Sequence, residues 1–384
     1  MVPTANTRSR PYCWVHQYFI HQLPTELLSH IFVLGAEEDP RFPLLVCRIC
    51  RSWRHVALST PTLWRRIVLS PHKHMWREHI RRARACTLDI ELLSTALSPM
   101  RPRPQHYYPQ RHLDFYTVQW LMQLALPHLH RWRSFSVIFT EQSPYILNAS
   151  LSFLANVPSP PSLQEITLIH RLNEDPQPFI LFNGFIPSLK RLTIDGPRIA
   201  LLPNMLTSLI FLDYTHHRFS TGSDTIHEIL SLLSLCPNLL FLRLLFPHQF
   251  TNHTTVYQKP TRSDPRVSLS SLKQLHLALD PNSFDIPYEL ALLLTHVSTP
   301  TLHTVIFSDP CRRQVPFPNL KSFFWMYAIP RSLQFILIEG GWFDQGMVDP
   351  MVKSLPRLKR VILRRGGRSP ERVLYNRGWY SMHR

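Results

Sequence analysis

Apolar positions in the larger, C-terminal part of the chain recur in one octet. A proline or another turn residue is followed two places on by a leucine, and three and five places after that leucine stand further apolar residues. The clear copies are Pro161-Leu163-Ile166-Leu168, Pro187-Leu189-Leu192-Ile194, Pro237-Leu239-Leu242-Leu244, Pro300-Leu302-Val305-Phe307 and Pro356-Leu358-Val361-Leu363. Looser copies begin at Trp132, Leu209, Leu272, Leu320 and Leu333. A tight turn points the first leucine inward, and the two later positions then face inward from a strand, whose side chains alternate. Proline cannot continue a central ladder, so it belongs just before each strand. The pattern predicts parallel strands at 163–168, 189–194, 239–244, 302–307 and 358–363, side by side in that order. Spacings between first positions run from 13 to 33 residues. The shortest one implies that either Leu320 or Leu333 does not head a full repeat.

Helical spacing separates these strands. Thr225 and Glu228 have the positions of a capping box, with Ile226, Ile229, Leu230 and Leu233 behind it at offsets 0, 3, 4 and 7. Pro287 stands in the first turn of another helix, ahead of Leu290, Leu293, Leu294 and Val297. Alternating strands and helices at this period imply a parallel sheet with helices on one side, a curved solenoid. A two-faced α/β sandwich is the rival. Polar residues next to the strands are the candidate contact residues of that sheet: Gln164, Glu165, Lys190, Arg191, Arg243, Lys273, Gln274, Lys321 and Lys359.

The front of the chain follows a different rule. Leu23-Pro24 opens a helix carrying Leu27, Leu28, Ile31 and Phe32, which Gly35 is expected to end before a turn at Asp39-Pro40. Val46, Ile49, Cys50, Trp53, Val56 and Ala57 then lie on one face of a single amphipathic helix. Pro61-Thr-Leu-Trp64 begins a short third element. A module this small has a marginal core by itself.

The stretches 23–32, 44–57 and 61–64 together resemble the F-box, especially in its fungal form. The match lies in Leu23-Pro24, Glu26-Leu27, Ile31-Phe32, Val46-Cys47, Trp53 and Leu63-Trp64. The loop from Gly35 to Phe42, with Glu37-Glu38-Asp39, departs from the family pattern. The resemblance implies docking on the small acidic adaptor that links F-box proteins to a cullin scaffold. It places Leu23, Pro24, Leu27, Ile31, Val46 and Cys47 at that contact, and Phe32, Trp53, Leu63 and Trp64 in the core. The octets resemble the leucine-rich repeats that often follow F-boxes, although most copies lack the usual asparagine. An unrelated helical bundle would use the same residue types, but the order and spacing agree together.

The expected fold class is therefore α/β: an N-terminal three-helix F-box, then an irregular leucine-rich-repeat-like solenoid with a parallel sheet. Its divisions are a flexible segment 1–20, the F-box at 21–70, a linking unit at 71–126, the solenoid at 127–366 and a basic tail at 367–384. In the linking unit Ile67-Val68-Leu69 and Leu88-Asp-Ile90-Glu-Leu92 read as strands, with Trp76, His79, Ile80 and Ala83 on a helix between them. A proline-rich basic loop at 98–111 interrupts it.

Composition narrows the chemistry. Gly is scarce at 10 residues and Pro abundant at 35, which disfavours glycine-cradled phosphate sites. Six scattered cysteines read as free thiols. The start has no apolar leader segment and no run suits a membrane span, so the sequons at Asn148 and Asn252 read as chance and the location as cytoplasmic or nuclear. A net charge of +17 raises acidic protein or nucleic acid as partners. The cations cluster in 65–84, where only Glu78 opposes them, and in 357–384, where only Glu371 does.

No catalytic motif emerges. Cys47 and Cys50 supply two zinc ligands where four are needed. His74, Glu78 and His79 miss the known zinc-helix spacings by one residue. The expected protein is no enzyme and uses no cofactor or metal. It recruits an unknown protein substrate to an SCF-type ubiquitin ligase for ubiquitin-dependent degradation, without membrane attachment. The alternative is a basic nucleic-acid-binding or chromatin-associated repeat protein.

Overall fold

A computed structural model describes residues 20, 23–70, 73–93, 114–140, 145–178, 180–246, 267–309, 313, 315–364 and 371–377. The flexible segment 1–20 except residue 20, the loop 98–111, the Asn252 sequon and residues 367–370 and 378–384 of the tail lie outside the described residues. Two compact units divide the chain, Met1–Arg66 with Arg77–Cys86, and Ile67–Trp76 with Thr87–Arg384.

The first unit opens with α1 (Thr25–Glu38), α2 (Phe42–Val46) and α3 (Arg51–Ser59), followed by a 3-10 turn at Pro61–Trp64. Its core gathers Leu28, Phe32, Val46, Val56, Ala57, Leu63 and Trp64, all buried. Trp53, half-buried, lays its ring 5.0 Å from that of Phe32. Two expectations fail here. Gly35 does not end α1, which runs on to Glu38, where the Asp39 N–H bonds the Gly35 carbonyl. A Cβ on Gly35 would come within 2.5 Å of the Phe42 ring, so the missing side chain admits that ring. Nor do residues 46–57 form one helix. The chain turns at Cys47–Cys50, where the Cys50 Sγ accepts the Trp53 N–H at 3.4 Å as the cap of α3. Arg54 Nε donates to the Cys47 carbonyl at 2.7 Å, satisfying the end of α2. The turn carries Ile49 out to solvent.

The second unit holds a sheet of twelve strands among the described residues. In chain order these are β1 (Arg66–Leu69), β2 (Leu88–Leu93), β3 (Trp132–Ile138), β4 (Glu165–Ile169), β5 (Arg191–Asp195), β6 (Phe211–Thr215) and β7 (Phe241–Phe246). A short β8 (Val267–Ser268) precedes β9 (Gln274–Leu279), and β10 (Val297–Ser298) precedes β11 (Thr304–Ser308). The last are β12 (Phe335–Glu339), β13 (Arg360–Arg364) and β14 (Arg372–Asn376). β8 and β10 pair with each other, and every other strand joins the large sheet in sequence order. Pairing is parallel from β2 to β13.

The octets explain this order. Each first leucine (Leu163, Leu189, Leu209, Leu239, Leu272, Leu302, Leu333 and Leu358) is buried. Each N–H closes a turn onto the carbonyl three residues back, so the strands start two residues after the leucine. Ile166, Leu192, Leu212, Leu242, Leu275, Val305, Ile336 and Val361 then fall in register across β4 to β13. Burying each such side chain is worth about 1.5–3 kcal/mol. Leu320 heads no strand; it starts a helix, so Lys321 sits on that helix and not beside the sheet.

Between strands run α4 (Lys73–Arg82), α5 (Phe115–Ala125), α6 (Ile146–Leu151), α7 (Pro203–Leu206), α8 (Gly222–Ser234), α9 (Tyr288–Thr295), α10 (Leu320–Met326) and α11 (Gln345–Ser354). The expected capping box is wrong: α8 begins at Gly222, with φ +59, and Thr225 is buried inside it. Val297 belongs to β10, beyond the end of α9. The tail is also corrected in part. Residues 372–376 form β14, antiparallel to β13, and Arg364 bridges Glu339 and Glu371. Alternating Val373 and Tyr375 give the segment strand character, and pairing satisfies the β13 edge. No helix among the described residues is long and apolar enough to cross a membrane.

Candidate functional site

The first unit presents an apolar surface built from one helix with two stripes. Leu28, Phe32 and Ala36 face the core of the unit, while Leu27, Ile31 and Leu34 lie exposed. The contrast is sharpest between neighbours, with Leu28 at 5% exposure and Leu27 at 53%. Leu45 and Ile49 are exposed as well. Of the residues expected at an adaptor contact, Pro24, Leu27 and Ile31 are exposed and Leu23 and Cys47 are half-buried. Val46 is buried and packs the unit instead, because it ends α2 on the inward side. Sequence spacing missed Leu34, Leu45 and Ile49. From Pro40 to Arg66 the chain carries six arginines and no acidic residue.

The zinc-like residues of this unit are otherwise engaged. Burial raises the Cys47 thiol pKa. Glu78 receives Arg81 Nε at 2.7 Å and Arg82 Nε at 2.9 Å, and the Arg81 bond is the main reason its pKa falls to about 2. His79 meets the Trp64 ring edge-on at 5.0 Å, and burial lowers its pKa.

In the second unit the half-exposed strand residues make an open sheet face. Gln164, Lys190, Lys273 and Lys359 line up immediately before their strands, joined by ladder bonds. Glu165, Arg191 and Gln274 are the first strand residues beside them. The Arg191 guanidinium lies 3.9 Å from the Phe211 ring centre, and Phe211 stacks on Phe241 at 4.5 Å. At the other ends of the strands lies a cavity of about 460 Å³. Arg243 is the one expected residue that reaches it; Arg171, Asp195, Arg218 and Asp280 join it there. Those four come from the residues that follow β4, β5, β6 and β9, or end them.

Next to the cavity, ligand atoms of His216, His217 and Glu228 lie within 4.8 Å of one another. Hydrogen bonding decides what this cluster is. The N–H of Arg218 reaches His216 Nδ1 at 3.3 Å, and the N–H of Phe219 reaches His217 Nδ1 at 3.0 Å. Both Nδ1 atoms are therefore acceptors, and both Nε2 atoms carry the proton. His217 donates to Glu228 at 2.9 Å, His216 to Ser220 Oγ at 3.2 Å, and Ser220 to Glu228 at 2.9 Å. A metal-bound imidazole donates from its other nitrogen, but here that nitrogen faces a donor. The cluster is a closed hydrogen-bond network that ties α8 to the loop after β6. Its electrostatics agree. Burial holds the His216 pKa down at about 4, and the bond from His217 brings Glu228 to about 2.

No curated protein matches the chain. Residues 20–70, which contain α1, α2, α3 and the Pro61–Trp64 turn, match the F-box-like family, so the chain carries an F-box-like domain at its front.

Proposed function

We propose that the protein is a substrate-recruiting, non-catalytic subunit of an SCF-type ubiquitin ligase. The observation that carries this reading is the stripe Leu27, Ile31 and Leu34 on the F-box-like domain, a helix face left exposed among the described residues. F-box domains bind a small acidic adaptor, and the acid-free run with its six arginines suits such a partner. Through the adaptor the chain reaches the cullin scaffold. The second unit, read as an irregular leucine-rich-repeat solenoid, holds a protein substrate on its open sheet face. Tethering raises the effective concentration of that substrate near the ubiquitin-loaded enzyme, so the subunit needs no catalytic group of its own. The nucleic-acid reading has less support: in the cation-rich C-terminal stretch Arg364 is held between Glu339 and Glu371.

The test is a pull-down of the full chain with purified adaptor. Leu27→Asp combined with Ile31→Asp places charge on the exposed stripe and leaves the buried one intact. Binding should be lost while the melting temperature holds. Undiminished capture of the doubly substituted chain would overturn the reading.

A further inference from the structure

We infer that the cavity at the C-terminal ends of β4 to β7 and β9 binds an oxyanion-bearing side chain of an acidic peptide. The inference rests on the reading of the second unit as a substrate-binding body, and gives that substrate a chemistry.

Three guanidinium groups line the cavity; Arg171 and Arg243 each hydrogen-bond a carboxylate of a neighbouring strand, and Arg218 forms an ion pair with another. Arg171 Nε donates to Asp195 at 2.7 Å, Arg243 donates to Asp213 at 2.7 Å, and Arg218 lies 3.5 Å from Asp280. In Arg171 and Arg243 the bond at one nitrogen fixes the direction of the fork, whose other nitrogens suit bidentate contact with a carboxylate or phosphate. The lining holds carboxylates too, so position decides which charge a ligand meets. The Arg171 side chain is 69% exposed and its partner Asp195 only 11%. Arg218 and Asp280 are arranged in the same order. In these two pairs the cation stands at the mouth and the carboxylate behind it, whereas Arg243 and Asp213 are similarly shielded and Glu174 is exposed. The chain's charge of +17 adds a long-range pull of the same sign.

The loop supplies a second argument. Arg218 has φ +73, a left-handed backbone that costs a non-glycine residue about 1–3 kcal/mol. Its N–H bond to His216 holds it there. With that backbone the Arg218 side chain lies beside Asp280 in the cavity lining.

The experiment uses the full chain and short labelled peptides that differ at one pair of positions, carrying glutamate, phosphoserine or glutamine. Glutamate or phosphoserine peptides should bind and the glutamine peptide should not; tighter binding of one acidic form assigns the carboxylate or the phosphate. Arg218→Gly relieves the backbone strain, so the melting temperature should stay level or rise while affinity falls about tenfold. Arg171→Lys keeps the charge and loses the fork, and should also weaken binding. Equal binding of the glutamine peptide, full affinity in both variants, or binding of an oligonucleotide but of no peptide would each overturn the inference. Adaptor pull-down of the same variants separates the two readings: peptide binding without adaptor capture supports the cavity and removes only the ligase role.

Discussion

The indole N–H of Trp64 donates to the carbonyl of Ala57 at 2.8 Å, tying the turn after α3 back to the last turn of that helix. The same carbonyl, in the last turn of the helix, also accepts the Thr60 N–H at 3.4 Å. Arg82 lies 4.3 Å from the centre of the same indole, and His79 meets it edge-on. One side chain thus caps a helix, fills the core and receives a cation. Trp64→Phe keeps the ring and loses the bond, so the first unit should be destabilised by about 1–2 kcal/mol and still bind adaptor. Trp64→Ala should cost about 3–5 kcal/mol and unfold the unit. Thermal unfolding of both variants, scored beside adaptor capture, checks the order.

Gly196 sits where β5 hands over to its loop, with φ +98, and a Cβ there would lie 2.1 Å from the His170 carbonyl oxygen. The neighbouring Asp195 carbonyl accepts the His170 N–H at 2.7 Å, so the two strand ends are held together at this point. Gly196→Ala therefore meets backbone on one side and a disfavoured φ on the other. The expected cost is at least about 2 kcal/mol, read as a lower midpoint in urea. A midpoint equal to that of the parent chain would show that the loop can open without cost.

Much of this architecture is legible in the sequence, for a physical reason. The inward positions of the octets are apolar because they are buried, and Leu163, Ile166 and Leu168 report that burial one by one. The cavity is less legible. Arg171 and Asp195, or Arg218 and Asp280, meet only across strands, and nothing periodic marks residues that follow a strand. The front unit misleads in another way. The apolar spacing from Val46 to Ala57 continues across a turn that has neither glycine nor proline, so it reads as one helix. Leu27 and Leu28 are chemically identical, and spacing alone does not say which of two stripes is buried.

Acid should destabilise the second unit through its buried histidines as pH falls from 6.5 toward 4. His216 and His276 have pKa values lowered to about 4 from 6.5, in both cases chiefly by burial. Groups with depressed folded values take up protons more readily when unfolded. Their contribution is present above pH 6.5 and is lost as pH falls toward 4. Each is worth on the order of 2 kcal/mol over that window. Glu228, near 2, adds its own loss below about 4.5. His276→Gln retains a donor for Ser308 Oγ, which the histidine nitrogen meets at 2.7 Å. That variant should show a flatter melting temperature between pH 6.5 and 4. An unchanged slope would place the acid sensitivity elsewhere.

A bidentate ion pair joins Asp89 on β2 to Arg133 on β3. Arg133 uses Nε and one terminal nitrogen, both at 2.8 Å, and Ser134 Oγ adds a bond at 2.9 Å. The Asp89 side chain is nearly buried while Arg133 is partly open to solvent. Removing the arginine takes the bidentate partner from a poorly hydrated carboxylate, and breaking such a pair from one side costs up to about 3–5 kcal/mol. Solvent near Arg133 and the remaining bond from Ser134 put the expected loss toward about 2–3 kcal/mol for Arg133→Ala. Replacing both partners removes the poorly hydrated charge as well. Asp89→Asn with Arg133→Ala should therefore be more stable than Arg133→Ala alone. A double-mutant cycle by urea unfolding measures the difference. If the double variant is less stable than the single one, Asp89 stabilises the sheet without Arg133, and desolvation of its charge is not what the arginine offsets.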